Sequence, residues 1–107
     1  MNYKVVMTET AIEDLREIAR WIAQQSKDIE IAKRFINELR QECLKLDTFP
    51  GIGLLPRDRV LKSHDFRFIV YKDYLIFYIT NEETKTVDIM SILNSKQDYM
   101  QVMRQFI

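Results

Sequence analysis

The chain of 107 residues has one cysteine, one histidine, one tryptophan, two glycines and two prolines, and its sixteen Lys and Arg exactly offset sixteen Asp and Glu. Each scarcity excludes something. A lone Cys43 cannot form an internal disulfide, so the fold must rest on a hydrophobic core; no basic-then-apolar leader opens the chain, and a reducing cytoplasm is the expected setting. No apolar run reaches the 18 or so residues that span a bilayer. Cys, His and carboxylates nowhere fall at metal-ligand spacing and no glycine-rich loop cradles phosphate, so neither metal nor cofactor is expected. Zero net charge gives no global attraction to nucleic acid.

What is present suffices for one domain over residues 1–107. Hydrophobic residues make up 47% of the chain, enough to bury roughly two-thirds of the unfolded surface. Charge is unevenly spread. Arg57, Arg59, Lys62, Arg67 and Lys72 face two acids, Asp58 and Asp65, in one segment, whereas Glu9, Glu13, Asp14 and Glu17 crowd the first helical region. A polyanion would meet the former; a solvated basic loop is the plain alternative.

The run Tyr3 to Met7 predicts a strand. Thr10 and Glu13 have capping-box spacing, and Ala11, Leu15, Ile18 and Ile22 form a helical stripe ending near Gln25. Asp28 predicts the next N-cap, ahead of Ala32, Phe35, Ile36, Leu39, Cys43 and Leu46. The two helices, about 15 and 19 residues by their period, should pack as an antiparallel hairpin. DTFPGIGLLP, which holds every glycine and proline, predicts a loop. From Phe66 the period changes to that of strands: FRFIVYKDYLIFYIT turns at Lys72 and Asp73, and NEETK turns into TVDIMSIL. Ser95 with Asp98 predicts the cap of a last helix carrying Tyr99, Val102, Met103 and Phe106. The fold class is α+β: an N-terminal strand, a helical hairpin, a three-stranded antiparallel meander with one face on the hairpin, and a short C-terminal helix.

YKVVMTETAIEDLREIARWI, the loop FPGIG, Arg67 in the second strand, DYLIFYIT, and VDIMSIL followed by a polar turn and QDY together resemble the RelE/ParE toxins of bacterial type II toxin–antitoxin modules, which include plasmid-stabilisation and addiction systems. The resemblance covers nearly the whole chain. It implies a growth inhibitor neutralised by an antitoxin whose extended segment wraps the toxin. RelE-like members cut messenger RNA on the ribosome; ParE-like members inhibit DNA gyrase.

RNA cutting by the 2′-hydroxyl needs a base, an acid and fixed cations. Arg67 matches a family arginine that can fork onto phosphate, or it pairs with Asp65. Lys96 can neutralise phosphate, or is a solvated lysine at a helix start. Tyr99 and His64 are the proton-moving candidates; core packing for Tyr99 and solvent exposure for His64 are the plain readings. Tyr71 could stack on a base. Asn94 and Gln97, at the end of the last strand, cannot titrate near neutral pH, and Asn94 has the usual turn role of its residue type. These amides, the long hairpin and the neutral charge favour gyrase over ribosome and mRNA, with an inert homologue that still binds antitoxin as a further alternative. Leu15, Ile18, Trp21 and Ile22 are the candidate antitoxin contacts, by helix-in-groove packing, with strand addition at the sheet edges. Cys43 reads as a core thiol.

Overall fold

The computed structural model describes residues 2–107. Strand β1 (Lys4–Met7) leads into helix α1 (Glu9–Ser26), then α2 (Ile29–Leu44), a loop with two short 3₁₀ turns, a one-turn helix α3 (Arg59–Ser63), strands β2 (Arg67–Tyr71), β3 (Tyr74–Asn81) and β4 (Thr86–Asn94), and a short α4 (Tyr99–Met103). The α+β order expected from periodicity is observed with one addition, α3, in the segment before β2 that was expected to be loop. Among the described residues, no helix is long and apolar enough to cross a membrane.

Helix α1 begins where a single threonine serves two elements. Thr8 has extended backbone (φ −70°, ψ 164°), its Oγ1 accepts from the Ala11 amide at 3.2 Å, and the same hydroxyl donates to the Ile89 carbonyl at 2.7 Å. The cap is therefore Thr8, and the expected Thr10 lies inside the first turn. Thr10 and Glu13 have the right types and spacing, but Thr8 directly follows a strand paired with β4 and is itself bonded to Ile89, and that anchorage decides the start. The hairpin link passes through Lys27 in the left-handed region (φ 56°), and Asp28 caps α2 as its position predicts, accepting from the Glu30 amide at 2.9 Å. The helices run 18 and 16 residues, against the 15 and 19 of the apolar period; Leu46, last of the second stripe, falls in the following 3₁₀ turn.

The sheet order is β1-β4-β3-β2, with β1 parallel to β4 (Val5 opposite Val87, Met7 opposite Ile89) and the other pairs antiparallel. One face carries Tyr74, Ile76, Tyr78, Val87 and Ile89 against Leu15, Ile18, Leu39, Cys43 and Leu46 of the hairpin. The opposite face is also covered. Leu75, Phe77 and Leu93 pack there against Leu61, Phe66 and Met103, so α3 and α4 form a second thin layer. Burial holds the Cys43 thiol up at about 12, which makes it an inert core group.

The C-terminal cap also departs from expectation. Ser95 does not begin the last helix; α4 starts at Tyr99, after Asp98, which makes no side-chain cap bond. The polar stretch before it is a closed turn. Asn94 Oδ1 accepts from the Lys96 amide at 2.9 Å, the Gln97 amide donates to the Asn94 carbonyl at 3.0 Å, and Gln97 Oε1 accepts from the Asn94 amide at 3.1 Å. Asparagine thus has the turn role predicted for it.

Because Thr8 both caps α1 and ties it to β4, Thr8→Ala should destabilise the fold by about 1–2 kcal/mol. Thr10→Ala should cost less than half of that, as chemical denaturation of the two variants will measure.

Candidate functional site

Arg67 opens β2 directly opposite Tyr78 of β3, so the two side chains share the hairpin face of the sheet. Its guanidinium donates to the Gly53 carbonyl at 3.0 Å. The Tyr78 hydroxyl donates to the Pro50 carbonyl at 2.5 Å and accepts from the Gly53 amide at 2.9 Å. Together these three bonds fasten the FPGIG loop to the sheet. The described ion pairs do not join Arg67 to Asp65, the partner its sequence neighbourhood suggested. Gly53 has φ −67°, an ordinary value, so its glycine is required by space: an added Cβ would run into the Tyr78 hydroxyl and ring. Burial raises the Tyr78 phenol pKa, partly offset by the Gly53 bond and the Arg67 charge, and the group stays a neutral hydroxyl that can both donate and accept.

The other catalytic candidates lie elsewhere. Tyr99 is on the opposite sheet face, with its ring centroid 5.4 Å from Phe77 and 6.5 Å from Phe68. Lys96 is exposed in the turn after β4. That turn adjoins Asn94, which faces Tyr74, four residues along β3 from the Tyr78 that faces Arg67; the separation is about 13 Å along the strand. His64 is exposed at the end of α3, where its Nδ1 must donate to the Val60 carbonyl at 2.9 Å. Tyr71 donates its hydroxyl to Glu38 at 2.9 Å and packs on Phe35. Arg67 and Tyr99 therefore stand on opposite faces of the sheet, and Lys96 follows the strand end that lies at the other end of β3 from Arg67.

Of the four candidate antitoxin contacts, Leu15 and Ile18 are buried in the chain's own core and Ile22 is packed against it. Trp21, by contrast, is 56% exposed. It stands beside a cleft between α1 and the end of β4, lined also by Asp14, Glu17, Tyr74, Asn94 and Gln97. Here β4 has outrun β1, whose pairing stops at Met7 opposite Ile89. Asp14 supplies what the missing strand would: its Oδ2 accepts from the Ile92 amide at 2.9 Å and from the Ser91 hydroxyl at 2.8 Å. Burial raises the Asp14 carboxyl above its ordinary pKa, and the bonds from Ile92 and Ser91 pull it partly back. With Asp14 on Ile92 and Gln97 on Asn94, this stretch of edge is stopped by side chains.

Two further surfaces escaped the sequence reading. A groove on the outside of the hairpin is floored by Ala19, Ala23, Ala32 and Ile36 beside exposed Ile29, with Arg40 at its rim. Its signal was the pair Ala19 and Ala23, small residues one turn apart that leave a trough between helices. The loop after α2 exposes Phe49 (67%) and Ile52 (69%), with Leu54 and Leu55 beside them. Leu54 pairs with Phe68 at the outer edge of β2, through bonds of 2.8 and 3.0 Å, which holds the apolar loop in place.

Residues 5–99 match the family model described as the ParE toxin of a type II toxin–antitoxin system, parDE. This chain belongs to the ParE toxin family. The same fold occurs in solved structures at low identity. The chromosomal ParDE system of Pseudomonas aeruginosa superposes with TM-score 0.74 at 14% identity, covering 89% of this chain and 98% of that one. The RelBE2 toxin–antitoxin complex of Mycobacterium tuberculosis gives 0.65 at 19%, covering 88% and 99%. The isolated RelE toxin of Escherichia coli gives 0.58 at 15%, covering 98% and 99%. No curated protein matches by sequence. Family membership makes the chain a toxin of a type II toxin–antitoxin system, and the RelE and RelBE structures share its fold.

The loop clamp gives a direct test. Tyr78→Phe leaves the Gly53 amide and the Pro50 carbonyl without their partner and should cost about 2 kcal/mol. Gly53→Ala should cost at least as much, because the methyl displaces Tyr78; thermal unfolding of both variants is the measurement.

Proposed function

We propose that this ParE-family toxin arrests growth by binding a protein, with DNA gyrase as the target, and that it does not cut RNA. The observation that carries the reading is the occupation of Arg67: its guanidinium is engaged on the Gly53 carbonyl, on the sheet face opposite Tyr99. An arginine committed to a backbone carbonyl, beside a phenol whose hydroxyl is itself held by Pro50 and Gly53, is a structural tie. The end of β4 adds to this. Its amides open onto a cleft that holds the Asp14 and Glu17 carboxylates, which repel a phosphate chain. The exposed apolar loop at Phe49 and Ile52 is chemistry for meeting another protein.

The same reading includes a cognate antitoxin. Solved relatives are described as ParDE and RelBE toxin–antitoxin assemblies. With Leu15 and Ile18 consumed by the core, the hairpin groove over Ala19, Ala23 and Ile36 is the surface where an amphipathic antitoxin helix would lie. Ile29, 62% exposed at that groove, is its testable wall. Ile29→Glu should leave the melting temperature unchanged and weaken antitoxin binding by about tenfold or more in calorimetric titration; unchanged affinity removes the groove from the interface.

Inducing the toxin alone in a bacterial host and following early labelled thymidine and methionine in parallel tests the target. DNA synthesis should stop first, and Arg67→Ala should keep toxicity at matched protein levels despite lower stability. Early arrest of protein synthesis, with toxicity lost in Arg67→Ala, would establish the ribosome-dependent nuclease instead. Growth unaffected at high expression would mean an inert homologue that keeps its antitoxin surface.

A further inference from the structure

We propose that the cleft between α1 and the end of β4 receives an arginine side chain presented by a partner protein. The cleft has a volume of about 480 Å³ and is walled by Asp14, Glu17, Trp21, Tyr74, Asn94 and Gln97. Asp14, Ile18 and Trp21 rise along one side of α1 at helical spacing, which brings a carboxylate and an exposed indole to the same opening. The cations of α1 do not fill it. Arg16 and Arg20 both turn to Glu13, at 3.3 and 3.5 Å, and no ion pair engages Glu17 or Asp14 among the described residues.

The chemistry of these walls selects the guest. Two carboxylates exclude phosphate and other anions. A planar guanidinium can stack on the indole face and direct its fork of N–H donors to the Glu17 carboxylate, and the carbonyl oxygens of Asn94 and Gln97 each keep acceptor capacity beyond the turn bonds they make. An ammonium has the charge without the plane or the fork. The main-chain donors are taken here, because Asp14 and Gln97 already hold the Ile92 and Asn94 amides, and a partner strand cannot form a regular ladder. A partner must therefore enter with a side chain. The inference does not depend on which target the toxin inhibits, since it concerns a binding property of the isolated protein.

Trp21 is the sole tryptophan, so its indole N–H resonance and its emission report this site alone. The probe is the capped tripeptide Gly-Arg-Gly, titrated into the intact protein, with the citrulline and lysine counterparts as controls. Expected is a saturable shift of the Trp21 indole and of the Asn94 and Gln97 amides, at least fivefold weaker with citrulline and with lysine. Glu17→Gln, a surface change that should leave the melting temperature in place, should weaken arginine binding at least threefold. A response that fails to saturate, an equal response to citrulline, or an unaffected Glu17→Gln variant would overturn the site. Equal binding of the lysine peptide would overturn its assignment to arginine.

Discussion

Five consecutive buried residues, Tyr74 to Tyr78, are the constraint that organises this molecule. A strand whose side chains are apolar on both sides must be covered twice. A chain of this length meets the demand with one thick layer and one thin one: the α1–α2 hairpin takes Tyr74, Ile76 and Tyr78, while α3 and α4 take Leu75 and Phe77. The second cover consists of helices of five residues each. Helices so short have almost no stability of their own and hold their shape through the side chains they bury. Phe66, Leu61 and Met103 therefore matter more to the thin layer than its backbone bonds do.

The same strand fixes what the conspicuous arginine can do. Tyr78 lies at the far end of the buried run, and its hydroxyl is the one polar atom there that must find partners. It finds them in the Pro50 carbonyl and the Gly53 amide, and this brings the loop to Arg67. Cation, phenol and loop form one structural unit. Exposed Phe49 and Ile52 are held on its outer side, so the clamp also determines which apolar surface faces outward.

Periodicity made the class, the element order and both helices legible, because an apolar stripe at helical spacing and an alternating one in strands are properties of local sequence. Asp28 and the Lys72–Asp73 turn were legible for the same reason. Thr8 was not: its advantage over Thr10 comes from the Ile89 carbonyl, 81 positions away. The parallel neighbourhood of β1 and β4 is likewise a long-range fact that no window contains. At the site, the loss of titrating groups from Asn94 and Gln97 could be read directly from their side chains. That Arg67 and Tyr99 stand on opposite faces depends on strand register, and the small-residue trough over Ala19 and Ala23 depends on how two helices meet. Neither follows from residue type.

The blocked edge of β4 has a consequence for how partner choice can change over time. Pairing of a new strand onto an open sheet is driven by main-chain groups that every residue shares, so it discriminates weakly between sequences. Asp14 and Gln97 remove that option at this end of the sheet. Recognition there must pass through individual side chains, where a single substitution on either protein alters the match. Related modules sharing one cell could thereby become insulated from one another by a few point changes, with the scaffold left intact.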